Sequence, residues 1–252
     1  AVWVPSSRDI FDRCRTILES TDRLVAATGI ASIWHHEPEQ IAAAYHALDR
    51  DFPGRFLLGL GVSHAVSVNS ETPGRFEKPI TRMKAYLDAL DAPSPPVPAS
   101  RRVLAALRPQ MLGLARDRAA GAHPYLVTPQ HTAEARGILG PDRILAVEQP
   151  AVLETDPERA RRLARGHLAY YALRENYVNS WKHLGFTEED AKGGPTDRLV
   201  DALVAWGDDS AIRARLDAHF AAGATHVCVQ VVEEDEGGAP DEGWRKLAEM
   251  LA

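Results

Sequence analysis

Phe56-Leu57-Leu58-Gly59-Leu60-Gly61-Val62 is an apolar run interrupted only by glycines. A strand with one wet face alternates apolar and polar residues, so a run without alternation marks a strand covered on both faces. Such strands belong to parallel sheets flanked by helices. The sequence around it agrees. Leu24–Ile30 is a second run of small and β-branched residues. Between the two, Glu37–Asp51 has helical spacing, with Pro38 in the first turn, where its missing N–H does no harm. On the other side, Pro79–Asp91 carries Leu87 and Leu90 on one helical stripe.

The alternation continues outward. Ala1–Pro5 reads as a strand, and Ser6–Asp22 as a helix with Ile10, Cys14, Ile17 and Leu18 on one side. Ala92–Ser100 holds Pro93, Pro95, Pro96 and Pro98 and must be a loop. Then come strand Arg102–Leu107, helix Pro109–Arg118, strand Ala122–Val127, helix Pro129–Leu139 and strand Arg143–Val152. A helical stretch follows: Asp156–Leu184 as one long helix, Thr187–Ala191, Thr196–Trp206 and Asp209–Ala222. Thr225–Val232 is the last strand and Asp241–Leu251 the last helix.

This order predicts an α/β protein of the TIM-like (β/α)8 barrel type, one domain over residues 1–252, with residues 156–222 as a helical insertion before the last strand. An open doubly wound sheet is the alternative. Seven strands are countable where a closed barrel has eight, and the first residue is Ala rather than Met. The expectation is therefore that a first βα unit is missing, before Ala1.

The net charge of −6 and pI of about 5.9 argue against a nucleic-acid partner, which a basic face would serve. No apolar run approaches the roughly 18 residues of a membrane span. The two cysteines, Cys14 and Cys228, lie in a helical and a strand pattern, so they read as buried thiols of a reduced, cytoplasmic protein. No GxGxxG, GxxxxGK[ST] or GxSxG motif is present, which lowers dinucleotide, nucleotide-kinase and hydrolase readings.

In a parallel barrel, chemistry gathers where the strands end. The residues there are Ser6 and Ser7; Gly29, Ile30, Ala31 and Ser32, then Trp34, His35 and His36; Gly61, Val62, Ser63 and His64; Ala106, Leu107, Arg108 and Pro109; His123, Pro124 and Tyr125; and Glu148 and Gln149. Pro109 falls at a first helical position, so the N–H groups of Gln110 and Met111 are expected to point outward beside Arg108, a site for an anion. Gly29 and Gly61 permit either a tight turn or close approach of a planar ligand. His64 directly follows a strand, and a histidine there is a candidate for proton transfer. His35 and His36 lack a third ligand at metal-site spacing, so no metal is expected. His46, His131, His167 and His219 fall on helices and read as surface or boundary residues. Arg161, Arg162 and Arg165 with Glu158 read as a solvated helix face. Tyr170, Tyr171 and Tyr177 read as helix packing or a cleft lining.

Four segments in order, "GLGVSHA" (59–65), "MKAYLDALD" (83–91), "GAHPYLVTPQHTAEAR" (121–136) and "DRLVDALVAWGD" (197–208), resemble the luciferase-like monooxygenase superfamily, and within it the actinobacterial branch that uses the 5-deazaflavin coenzyme F420. "LVAATGIASIWHHEP" (24–38) is similar to the same superfamily. The resemblance implies a barrel that binds a deazaflavin or flavin ring over its mouth, with a non-prolyl cis peptide where the strand ends at Gly29-Ile30. It implies cofactor contacts from Gly29, Ile30, Ala31, Gly61, Val62, Ser63, Ala106, Leu107 and Arg108, the last three cradling a phosphate. Trp34 and His35 would wall the substrate pocket, and the 69–78 loop and the insertion would shape it. His64 matches a position that in one sugar-phosphate dehydrogenase relative holds an acidic catalytic residue, and is expected to be catalytic. Relatives usually carry Gly or Ser where Arg108 stands, and an acidic residue or His where Ser6 and Ser7 stand.

The function so implied is F420-dependent hydride transfer to or from a small organic substrate. An FMN-dependent monooxygenase and a catalytically silent binding protein on the same barrel are the alternatives. Related barrels commonly pair, so a homodimer is the expected assembly.

Overall fold

A computed structural model describes residues 1–234 and 240–251. The chain forms two compact units, residues 1–123 with 137–145, and residues 124–136 with 146–252.

The first unit comprises β1 (Val2–Val4), α1 (Ile10–Glu19), β2 (Ala26–Thr28), β3 (Ala31–Ser32), α2 (Pro38–Asp51), β4 (Phe56–Gly61), α3 (Ala65–Glu71), α4 (Pro79–Asp91), β5 (Arg102–Leu104), α5 (Pro109–Arg118) and β6 (Gly121–Ala122). Its strands are all parallel, in the order β1-β2-β4-β5-β6, and Gly121 and Ala122 pair onward with Ile144 and Leu145. Phe56, Leu58, Leu60, Ala26, Ala27, Val103 and Leu104 are fully buried, as the unalternating run predicts. Cys14 is buried in α1 beside Ile10 and Leu18.

The expected strand Leu24–Ile30 is divided. Its register with β4 ends at Ala27 opposite Leu57, and pairing resumes only at Ala31 opposite Leu60. In the gap the Thr28 hydroxyl donates to Gly59 O at 2.9 Å and accepts from Gly59 N at 2.7 Å. A Cβ on Gly59 would stand 1.8 Å from Thr28 O, so only glycine admits this approach. The expected cis peptide at Gly29-Ile30 is not found: the one cis bond among the described residues joins Ser94 to Pro95. Gly29 instead donates to Val4 O at 2.8 Å, and the chain re-pairs two residues on at Ala31.

Three further expectations are corrected. The 69–78 loop is helical as far as Glu71, and the Asn69 side chain closes the remainder by accepting the Phe76 N–H at 3.0 Å. Strand Ala122–Val127 stops at Ala122, and Leu126, further on, takes a left-handed φ of 54° that a strand does not tolerate. Strand Arg102–Leu107 stops at Leu104, where the partner strand β4 is also ending.

The second unit holds α6 (Pro129–Leu139, up to Arg136), β7 (Ile144–Val152, from Ala146), α7 (Pro157–Ala172), α8 (Glu175–His183), α9 (Glu188–Ala191), α10 (Asp197–Leu203), β8 (Ala205–Trp206), α11 (Asp209–Ala221), β9 (His226–Val231) and α12 (Asp241–Leu251). β8 and β9 both pair in parallel with β7. The long helix expected over 156–184 is broken at Leu173 and Arg174, where the Arg174 guanidinium lies 3.9 Å from the centre of the Tyr170 ring. The break lets α8 bury Tyr177 and Trp181. The helix expected over 196–206 ends at Leu203, since Ala205 and Trp206 pair with Ala151 and Val152 and the Trp206 indole donates to Asp201 at 2.8 Å. With β3 and β8, nine strands are present among the described residues where the sequence suggested seven.

His131, His167 and His219 are buried rather than at the surface. His219 is held between Thr132 (2.8 Å) and Gln149 (2.9 Å), which places it in the core. The arginine face of α7 is not simply solvated either: Arg161 makes a bidentate pair with Asp201, and Arg165 binds Asp197 and Pro195 O, so the face joins α7 to α10. No helix among the described residues is long and apolar enough to cross a membrane.

Candidate functional site

Because β1, β2, β4, β5 and β6 are parallel, the residues that follow them share one edge of the first unit's sheet. That edge brings together Ser6, Gly29, Gly61–His64, Ala105–Arg108 and His123.

Gly29 is buried against His123, whose Nε2 would lie 3.6 Å from an added Cβ. The His123 ring is itself stacked on Trp3, centroids 4.1 Å apart and planes 16° apart. Trp3 is absent from the residues singled out in sequence; an aromatic inside a three-residue strand is its only signal. Gly61 is required for a different reason: a Cβ would fall 2.3 Å from the Ile30 side chain, so Ile30 lies across the glycine and the two positions pack as a unit. Trp34 is buried and donates its indole N–H to Val62 O at 2.7 Å, with the Arg82 guanidinium over its ring. Ser63 adopts a left-handed φ of 53°, a conformation that non-glycine residues rarely hold outside functional turns. That turn delivers the half-buried His64 to the head of α3, where its carbonyl accepts the Val68 N–H. His35 lies 3.5 Å from Glu71. His36, beside it, is held below the usual imidazole range by burial and then by the His35 charge.

Ala106 is buried, Leu107 half-buried and Arg108 exposed. Arg108 is the N-cap of α5 with Pro109 at the first helical position. The anion-site expectation needs one correction: the Met111 N–H is already given to Arg108 O at 3.1 Å. The Gln110 N–H and the Arg108 guanidinium have no partner among the described residues. A fixed cation beside an open N–H at the head of a helix is what a phosphate group requires. No three His, Cys, Asp or Glu side chains converge as a metal site among the described residues.

The second unit carries a polar cluster of its own. Glu148, in the middle of β7, is 2% exposed. Its Oε2 accepts the Leu126 N–H at 3.0 Å, and its Oε1 is buried with no hydrogen-bond partner. Burial pushes this carboxyl up to about 8, against the pull of the Leu126 N–H. Tyr125 donates to Gln230 Oε1 at 2.8 Å and lies 2.8 Å from the Tyr171 hydroxyl, which donates to it. Tyr177 packs on both tyrosines, and Trp181 donates to Leu126 O at 3.2 Å. Burial, followed by the nearby Glu148, raises Cys228 to about 12, so it is a packed thiol rather than a reactive one. Sequence reading noted Glu148 only as a strand-end residue; a single carboxylate within the apolar run Ile144–Val147 and Pro150–Val152 was its signal.

The model of the luciferase-like monooxygenase family matches residues 6–226, and the chain belongs to that family. No curated protein matches it. Among solved structures, the coenzyme F420-dependent tetrahydromethanopterin reductase of Methanopyrus kandleri superposes with a TM-score of 0.72 at 15% identity, over 99% of this chain and 88% of that one. An F420-dependent secondary alcohol dehydrogenase bound to an F420–acetone adduct gives 0.71 at 14%, over 93% and 85%. The oxygenating constituent of 3,6-diketocamphane monooxygenase from Pseudomonas putida, bound to FMN, gives 0.69 at 12%, over 99% and 85%. These likenesses establish the shared α/β fold with its parallel sheet. The fold and family are thus those of luciferase-like enzymes, some using F420 and some FMN.

Proposed function

We propose that this protein is an oxidoreductase that uses coenzyme F420 to move a hydride to or from a small organic substrate. The observation that carries the reading is the exposed Arg108 at the head of α5, unpaired among the described residues and beside the open Gln110 N–H. It fits the phosphate of such a cofactor. The cofactor itself supplies hydride exchange at its ring.

The chain's own residues do the rest. Ala106, Leu107 and Arg108 hold the phosphate. Gly29, Ile30 and Ala31, with Gly61, Val62 and Ser63, form the backbone against which the ring lies. Trp34, fixed through Val62 O, and His35 wall the substrate side and exclude water. His64, aimed by the left-handed turn at Ser63, gives or takes the substrate proton. The whole of residues 1–252 acts as one luciferase-like domain in this reading.

FMN carries a phosphate too, and a structural neighbour holds FMN, so an FMN-dependent monooxygenase is the second reading. Titration of the pure protein with F420 and with FMN, followed by quenching of cofactor fluorescence, separates them. Tight F420 binding with weak FMN binding supports the proposal. The reverse order favours the monooxygenase. Binding of neither would overturn both and favour a silent binding protein.

A further inference from the structure

An arginine taken partly out of water keeps its charge, and its planar fork of N–H donors needs oxygen acceptors. In the first unit Arg15, Arg55, Arg101, Arg102 and Arg118 are buried or half-buried, and each has such an acceptor. A carboxylate serves Arg15, Arg102 and Arg118, and a backbone carbonyl serves Arg55 and Arg101. Arg82 in α4 is half-buried as well, and among the described residues it is the exception. Its Nε is shielded from solvent and has no hydrogen-bond partner. Its guanidinium forms no ion pair with a described carboxylate.

The place of Arg82 follows from α4. Residues i and i+4 share one helix face, and Tyr86, one turn on, donates its hydroxyl to His36 O at 2.7 Å. That bond lays this face of α4 along the segment Trp34-His35-His36. The Arg82 guanidinium accordingly lies over the Trp34 ring, 5.5 Å from its centre. The Phe76 ring stands 5.6 Å from the same indole. Trp34 is held in place by its bond to Val62 O. Glu37 and Glu39 lie near enough to act on the Tyr86 hydroxyl, but neither pairs with Arg82. Glu37 faces Arg75, and Glu71 faces Arg8 and His35. A carboxylate or phosphate takes parallel N–H bonds from a guanidinium fork and meets its charge. A neutral oxygen meets only the donors, and an ammonium ion meets neither.

We propose that Arg82 anchors an oxyanion of the substrate, a carboxylate or a phosphate, with the rings of Trp34 and Phe76 beside its apolar body. The inference rests on the oxidoreductase reading above, in which Trp34 walls the substrate side, and adds the substrate class, an organic anion. Every residue of the anchor belongs to the first unit. Arg108, on α5, is left to the cofactor.

The test uses the whole protein labelled with 15N at arginine, the Arg82 Nε–H resonance being assigned by its absence from Arg82→Gln and Arg82→Lys. Four probes share one ring and differ in polar group: benzoate, phenyl phosphate, benzyl alcohol and benzylammonium, all at one ionic strength. At least one of the two anions is expected to shift the Arg82 resonance saturably, and the tighter of them tells carboxylate from phosphate. The alcohol and the ammonium should bind more weakly, by about tenfold or more. Arg82→Gln keeps a planar amide against Trp34 but no charge, and by calorimetry should weaken the anions about 10–100-fold. Arg82→Lys keeps the charge without the fork and should recover part of that loss. Equal binding of all four probes, anion binding unchanged in Arg82→Gln, or a resonance that chloride moves as far would overturn the anchor. So would a loss of F420 affinity in both variants with anion binding kept, which would give Arg82 to the cofactor. Cofactor titration keeps the two proposals apart. Cofactor binding without an Arg82 response refutes only the anchor. An Arg82 response to the anions without cofactor binding supports the anion site and refutes the oxidoreductase reading.

Discussion

The Thr28 hydroxyl serves both backbone polar groups of Gly59, accepting from its N–H at 2.7 Å and donating to its carbonyl at 2.9 Å. One side chain replaces a rung of the sheet ladder at a fully buried place. Thr28→Val preserves shape but leaves a buried donor and acceptor unmet, each costing about 1–3 kcal/mol. Urea unfolding should show a loss of about 2–4 kcal/mol. A loss under about 0.5 kcal/mol would show that the bridge contributes nothing net.

Glu148 stabilises the fold in acid and destabilises it in base. Its folded value of about 8 lies above the ordinary 4.5, so the native state keeps a proton that the unfolded chain releases. Stability from this group is complete below pH 4.5 and is lost as pH rises towards 8. Glu148→Gln should therefore be more stable than the parent at pH 8, by on the order of 4 kcal/mol, with the difference vanishing near pH 4. Calorimetry at the two pH values decides it.

His167 and His219 act in the opposite sense. Burial holds both at about 4, below the ordinary 6.5, so the unfolded chain binds protons that the native state refuses. Stability from them is complete above pH 6.5 and falls as pH drops through 4. In the Glu148→Gln background, where the opposing release is gone, unfolding between pH 5 and 6 should take up at least about two protons, to which His36 and His226, also held below the usual range, add. Uptake near zero would mean that neither histidine is buried in its neutral form.

Arg108→Ala removes the only cation of the proposed phosphate anchor on α5. A charge-assisted hydrogen bond contributes about 1.5–3 kcal/mol, so affinity for F420, or for FMN, should fall about 10–100-fold. Unchanged affinity would move the phosphate elsewhere.

His64→Ala should slow hydride transfer by about 10²–10⁴-fold while cofactor affinity stays within about tenfold. Stopped-flow absorbance of the cofactor measures both. An unchanged rate would remove His64 from the chemistry.

The central strand was legible because burial on both faces leaves a direct trace, as in Phe56–Gly61. The division of β2 from β3 was not, since it depends on a side-chain hydroxyl taking over backbone bonds. Ala205 and Trp206 continue the apolar spacing of Leu199, Val200 and Leu203, so a helix pattern ran on into what pairing with β7 makes a strand. Among site residues, the strand-end position of His64 and the helix-head position of Arg108 could be read from turn chemistry. The stacking of Trp3 on His123 and the open oxygen of Glu148 could not, because both depend on which distant segments meet.

Leu126 sits with a strained φ of 54°, its N–H given to Glu148 and its carbonyl taken by the Trp181 indole. A single residue thus joins an acid to a fluorophore, through the two peptide units on either side of its Cα. A change in the carboxyl's proton changes the pull on that N–H, two bonds away from the carbonyl that the indole holds. Trp181 is accordingly wired as an optical gauge of Glu148, and its emission should follow the carboxyl without any added dye.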